Sequence, residues 1–130
     1  MIVLDASVLV EALLRRPSAA AILDRVTDRD VTLHAPHLID IEVAHAIRRL
    51  TLKDEITASR GQYAIEQLEQ FPVERYPHQA LLTGIWARRH SLSAYDAAFV
   101  TLAEVLDAPL LTRDRRLAAA HGHNARIEVV

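Results

Sequence analysis

Short apolar runs alternate along this chain with longer stretches of helical period. Met1 to Leu4 is an apolar, β-branched run that stops at Asp5 and reads as a buried strand. Ala6 to Leu14 continues as a helix, and Pro17 suits the first turn of a second helix running to about Val26. Val31 to His34 is a second short strand, closed by Ala35 and Pro36. From His37 to Leu52 the stripe Ile39, Val43, Ala46, Ile47 and Leu50 keeps one helical face. Asp54 to Phe71 predicts another long helix, with Asp54 as its cap and Gly61 as a weak point. Pro72 to Tyr76 reads as a strand near an edge, since proline opens it. Helices over His78 to His90 and Ala94 to Leu106 follow, the second preceded by Ser93. Tyr95, Phe99, Leu102 and Leu106 share one face of it, suited to the core or to a dimer surface. Pro109 to Thr112 is a strand, Asp114 to Ala120 a short helix, and Ile127 to Val130 a last strand after a loop holding Gly122.

Strands separated by helices predict an α/β fold with a central, mostly parallel, twisted sheet flanked by helices. No repeat, linker or low-complexity tract divides residues 1–130, so one domain is expected. The order is that of a small doubly wound sheet with extra helices between its second and third strands.

Against this pattern four acids stand out: Asp5, Glu42, Asp96 and Asp114 interrupt or follow the runs MIVLDAS, IDIEVAHAI, LSAYDAAFV and LLTRD. A carboxylate beside so much apolar surface costs free energy unless it is paired. Asp5 and Asp114 have a local explanation as helix caps, and Ser93 with Asp96 forms S-x-x-D, a weak capping box. Glu42 has none, because it lies on the margin of its helix's apolar stripe. Asp40, on the far side of that helix, reads as solvated. Parallel strands would converge these acids on the carboxyl edge of the sheet, where open α/β folds place their chemistry. A cluster of that kind repels itself unless a cation neutralises it, and an all-oxygen donor set favours Mg²⁺ or Mn²⁺. The pattern therefore implies a metal-dependent hydrolase.

Composition narrows the picture without changing it. Cysteine is absent, which excludes disulfides and thiolate metal sites. No apolar run reaches membrane-spanning length, and MIVLDASV meets a charge at once rather than reading as a signal peptide, so a cytoplasmic protein without a membrane partner is expected. A net charge of −2 excludes wholesale electrostatic binding of nucleic acid. The basic residues are nonetheless lopsided: Lys53 is the only lysine. Arginine's planar fork suits phosphate, while codon bias explains the same skew without function. Seven histidines form no H-E-x-x-H, and the single E-x-x-H of Glu42 and His45 lacks the second copy a di-iron bundle requires. Only Trp86, three tyrosines and two phenylalanines are available, too few for an aromatic stacking platform.

VLDASVL, IEVAHAIRR, and LSAYDAAFVTLAE followed by LLTRD resemble PIN-domain ribonucleases, and the length and motif order resemble the VapC toxins of bacterial toxin–antitoxin pairs. The resemblance spans essentially the whole chain and holds all four acids in order. It implies a PIN-like fold, Mg²⁺- or Mn²⁺-dependent endoribonuclease activity on RNA such as tRNA or rRNA, a cognate VapB-type antitoxin and a homodimer. Its acidic site falls on Asp5, Glu42, Asp96 and Asp114, with Ser7 and Thr112 as supporting hydroxyls. Within that set Asp5 and Asp96 are expected as direct metal ligands, Glu42 as a water-positioning or second-metal residue, and Asp114 as a water-mediated ligand. Arg113 and Arg115 flank Asp114 and are candidates for holding RNA phosphate. The remaining arginine pairs read as surface charge. Two other classes compete. One is a PIN fold that binds without turnover. The other is a receiver-type phosphoacceptor, which pairs two acids after the first strand and uses a late lysine; Asp5 has no acidic neighbour, and no lysine follows Lys53.

Overall fold

The computed structural model describes residues 1–130. Five parallel strands form one sheet in the order β3-β2-β1-β4-β5: β1 Ile2–Leu4, β2 Leu33–Pro36, β3 Val73–Tyr76, β4 Leu110–Thr112 and β5 Ile127–Val129. The helices are α1 Ala6–Leu14, α2 Ala20–Val26, α3 Leu38–Leu52, α4 Ala58–Gln70, α5 Leu82–Ala87, α6 Ala94–Val105 and α7 Arg115–Ala118. Short 3₁₀ turns at Pro17–Ala19 and Gln79–Leu81 lead into α2 and α5.

β1 is the axis of the arrangement. Val3 pairs with His34 on one side and Leu110 on the other. All three residues of β1 are buried, as are Leu110, Leu111 and Thr112, because these strands have neighbours on both edges and helices above and below. α6 lies against β1, β2 and β4 and contributes Phe99, Val100, Leu102 and Ala103 to the core. α1 packs on β4, α2, α3 and α4. The chain turns one way from β1 through β2 to β3, then returns to place β4 on the other side. The switch in strand order therefore lies between β1 and β4.

Several boundaries differ from the sequence pattern for identifiable reasons. β2 begins at Leu33, not Val31, because Val31 is used in a turn in which Asp28 accepts backbone N–H bonds at its carbonyl and at its side chain. Pro36 belongs to the strand: β1 pairs only as far as His34, so the position lacking an N–H has a single strand neighbour. Asp54 does not cap α4. It sits in the left-handed region at φ 55°, ending the turn after α3, and Thr57 caps α4 by accepting the Arg60 N–H. Gly61 is a close approach, not a weak point: a Cβ there would meet the Thr51 methyl at 2.7 Å, so glycine lets α4 lie on α3. The helix expected over His78–His90 is a 3₁₀ turn and a six-residue helix, since the backbone tightens at Arg88 and Arg89 into i−3 bonds.

Two charged residues read as surface groups are structural. Asp40 accepts Arg75 Nε at 2.8 and 2.9 Å, tying α3 to the edge strand β3. Arg88 pairs with Glu104 and donates to the Gly84 carbonyl, and Glu104 also accepts the Asn124 N–H, fastening the loop before β5 to α6.

Candidate active site

Asp5 follows β1 directly, and Asp114 lies two residues beyond β4. The two strands that flank the switch point thus deliver one acid each to the same sheet end, the position where open α/β sheets leave a crevice. Asp5 stands at the N-cap of α1 but makes no side-chain cap bond. Its Oδ2 instead accepts the Ser7 hydroxyl at 2.7 Å and the Thr112 hydroxyl at 2.6 Å. Oδ1 has no protein donor, so it remains available to a ligand.

Thr112 is fully buried and its hydroxyl works in both directions. It donates to Asp5 and accepts the Asp114 N–H at 3.0 Å, linking the two acids across the β1–β4 seam. Ser7 does the same one step outward, donating to Asp5 and accepting the Arg113 N–H at 3.0 Å. The two hydroxyls hold Asp5 in one rotamer and set the path of the chain leaving β4.

Glu42 and Asp96 close the cleft from α3 and α6. Asp96 lies in the first turn of α6, whose cap Ser93 accepts the Asp96 N–H at 3.2 Å. The S-x-x-D signal therefore marks a real cap. Glu42 makes no hydrogen bond to another protein group, and burial, followed by the charges of Asp5 and Asp96, pushes its pKa from an ordinary 4.5 up to about 7. Burial and the charges of Asp5 and Asp114 also raise Asp96, with Ser93 and Arg116 partly opposing. Asp114 behaves differently. Burial pulls it upward, but hydrogen bonds from Arg116 backbone and side chain and the Arg116 charge hold it below the usual range. Its Oδ1 caps α7 through the Arg116 N–H at 2.8 Å.

The fold thus brings all four acids into electrostatic contact around one cleft, with Asp5 sensed by both Glu42 and Asp96. An all-carboxylate pocket in which burial and acidic neighbours raise Glu42 and Asp96 is suited to a hard divalent cation. No three of the side chains close into a preformed cage. Mg²⁺ needs only one or two protein carboxylates, with water and phosphate completing its shell, so the open spacing fits that ion.

Arg113 is exposed beside the cleft, Arg115 is exposed at the start of α7, and Arg116 is committed to Asp114. One charged residue near the site escaped the sequence pattern. Glu11 is only 7 % exposed on α1, where it pairs with Arg16 and lies 3.9 Å from Arg113. The signal was present: Glu11 interrupts the apolar run SVLVEALL, as the four site acids interrupt theirs.

The PIN domain family model matches residues 2–122. Ribonuclease VapC1 of Mycobacterium tuberculosis is 42% identical over 129 residues, which are 98% of this chain and 96% of the relative. Ribonuclease VapC12 of the same organism is 42% identical over 130 residues, covering 100% and 99%. Among solved structures, PAE2754 from Pyrobaculum aerophilum superposes with a TM-score of 0.69 at 25% identity, over 98% of this chain and 83% of that one. VapBC2 from Rickettsia felis, solved bound to a DNA fragment from its promoter, shares the fold with a TM-score of 0.68 at 15% identity, over 99% and 98%. This chain belongs to the PIN-domain family, and the VapC ribonucleases are its relatives along its full length.

Proposed function

We propose that this chain is an endoribonuclease toxin that hydrolyses RNA phosphodiester bonds with Mg²⁺ or Mn²⁺ and is held inactive by a cognate VapB-type antitoxin. The observation that carries the reading is the four-acid cleft, in which Asp5 is fixed by Ser7 and Thr112, Glu42 faces no cation, and Arg116 only partly offsets the acids around Asp96. It occurs on a chain 42% identical to a ribonuclease over nearly its whole length.

Asp5 and Asp96 are the preferred metal ligands, and Asp114 contributes through water. A divalent cation bound there would supply polarisation of the phosphodiester and a competent oxygen nucleophile at neutral pH. The chain's own residues do the rest. Thr112 and Ser7 keep the Asp5 carboxylate aimed. Glu42, which faces the cleft without a hydrogen-bond partner, orients the attacking water and accepts its proton. Water oxygen forms the new bond to phosphorus as the bond to the leaving ribose oxygen breaks. Arg113 and Arg115 steady the phosphate beside the cleft.

The same charge pattern suits inhibition by an antitoxin side chain that carries a cation into the cleft and competes with metal. Metal affinity that is unchanged in the complex would rule this out. Leu82 and Trp86, one turn apart on α5 and both exposed, suit contact with a second copy in a homodimer. No helix is long and apolar enough to cross a membrane, and the cytoplasm is the compartment of the proposed tRNA or rRNA substrates.

The test is cleavage of total RNA by purified protein with Mg²⁺ or Mn²⁺, beside chelator and Asp96→Asn. Discrete fragments that need both metal and Asp96 support the reading. A folded, metal-binding protein that leaves every RNA intact would instead indicate a PIN fold that binds without turnover.

A further inference from the structure

A cavity rimmed by basic side chains, with Val10, Ala46 and Leu50 in its walls, meets the acid cleft at Ser7. It has a volume of about 270 Å³ and is lined by Arg16, Arg49, Lys53 and Arg113, with the buried Glu11 and Ser7 among its walls. Four cations face one carboxylate in a chain whose overall charge is −2, so basic charge is concentrated here against the trend of the molecule.

Glu11 gives the cavity its built character. Its Oε1 accepts Arg16 Nη1 at 3.1 Å and its Oε2 accepts the Ser18 hydroxyl at 3.3 Å, while Arg113 Nη1 lies 3.9 Å from Oε2. A buried carboxylate shared by two guanidinium groups restricts both side chains without cancelling both charges. Arg49 and Lys53 are exposed and enter no ion pair.

The cavity is continuous with the cleft by two routes. Ser7 belongs to both, since its hydroxyl holds Asp5 and accepts the Arg113 N–H. Glu42, Ala46 and Arg49 also fall at i, i+4 and i+7 on α3, one stripe of the helix, and Lys53 caps its C-terminal end. At 1.5 Å per residue, Arg49 and Lys53 stand roughly 10 and 16 Å along that helix from Glu42. An anion seated among them would therefore lie beside the acid cleft, along the axis of α3.

Resting on the nuclease reading above, we propose that Arg16, Arg49, Lys53 and Arg113 form a phosphate-binding subsite that grips the RNA backbone next to the scissile phosphate. Arginine forks and one lysine match phosphate oxygens, and backbone gripping carries affinity without reading sequence. The subsite also offsets the repulsion between a polyanionic strand and four clustered acids. Glu11 is a positioning residue, holding Arg16 and Arg113 toward the strand. An acidic segment of a protein partner has matching charge, but continuity with the acids through Ser7 and α3 favours the strand that is cut.

The measurement is fluorescence anisotropy of a labelled single-stranded oligoribonucleotide in chelator, which needs no turnover, repeated over a series of salt concentrations. Arg49→Ala/Lys53→Ala is the test variant, because neither side chain holds the fold together. Arg48→Ala, an exposed arginine outside the cavity, is the control. The double variant is expected to bind at least about fivefold more weakly, with a log–log salt slope shallower by roughly 0.7 for each phosphate it no longer neutralises. Arg48→Ala is expected to leave both values near those of the unaltered protein. Unchanged affinity and slope in the double variant would overturn the proposal. So would an equal loss in Arg48→Ala, or a loss of antitoxin affinity with RNA binding intact. Because the readout is binding without metal, a failure of this subsite is separable from a failure of metal-dependent cleavage.

Discussion

Glu42→Gln removes the charge that the folded protein tolerates least while keeping the side chain's shape. A pKa raised from 4.5 to about 7 corresponds to at most about 3.5 kcal/mol of destabilisation of the folded, metal-free protein, at about 1.4 kcal/mol per pH unit. Partial solvent access and salt screening of the Asp5 and Asp96 charges reduce this to about 1–2 kcal/mol. The sign follows from linkage. Because the folded-state pKa is above the unfolded one, the folded protein binds the proton more tightly; the favourable contribution is complete below about pH 4.5 and is lost as pH rises through about 7. In chelator at pH 8, Glu42→Gln is therefore expected to melt about 4–8 °C above the unaltered protein, taking roughly 4 °C per kcal/mol for a domain of this size. At pH 5 most of that gain should disappear. Thermal denaturation at the two pH values, followed by circular dichroism, makes the comparison. A gain of equal size at both pH values, or no gain at pH 8, would falsify the assignment of the shift to burial and to the neighbouring acids.

Three further outcomes follow from the same geometry. Metal binding should release protons, since Glu42 and Asp96 hold theirs above the ordinary carboxylate range; titration calorimetry of Mn²⁺ in buffers of different ionisation enthalpy should show the release, with apparent affinity rising as pH passes through about 7. Thr112→Val should cost about 1–3 kcal/mol in denaturant unfolding, because the Asp114 N–H loses its buried acceptor, and should lower kcat by freeing Asp5; unchanged stability and turnover would refute the two-way role of the hydroxyl. Arg88→Ala leaves Glu104 half-buried without its partner and should cost on the order of 3 kcal/mol, with faster hydrogen exchange in the loop at Asn124.

The acids were legible because a carboxylate inside an apolar run has few structural excuses, and all four meet at one cleft. The strands bearing Asp5 and Asp114 were equally legible, since buried parallel strands read as unbroken apolar runs. What escaped the sequence were features set by neighbours. Asp40 and Arg88 carry surface-type residues at helix positions, yet each finds a partner on another element. The start of α4 was misplaced because Asp54 and Thr57 are both good caps, and only the left-handed backbone at Asp54 decides between them. Glu11 obeyed the rule that exposed the other acids, but its partners Ser18 and Arg113 lie too far along the chain to be paired by inspection.

The hydroxyl bridge at Thr112 also determines when the site can first exist. Asp5 follows the first strand, but the group that aims it lies 107 positions later, on a strand inserted between β1 and β5. Synthesis proceeds from the N-terminus, so the emerging chain can build the β1–β2–β3 half of the sheet while the β4 edge of β1 is still open. During that interval Asp5 has no Thr112 donor and no Asp114 beside it. A chain that stops before β4 therefore lacks the complete four-acid cleft. The long-range closure of the sheet thus makes the acidic cleft one of the last parts of the domain to be assembled.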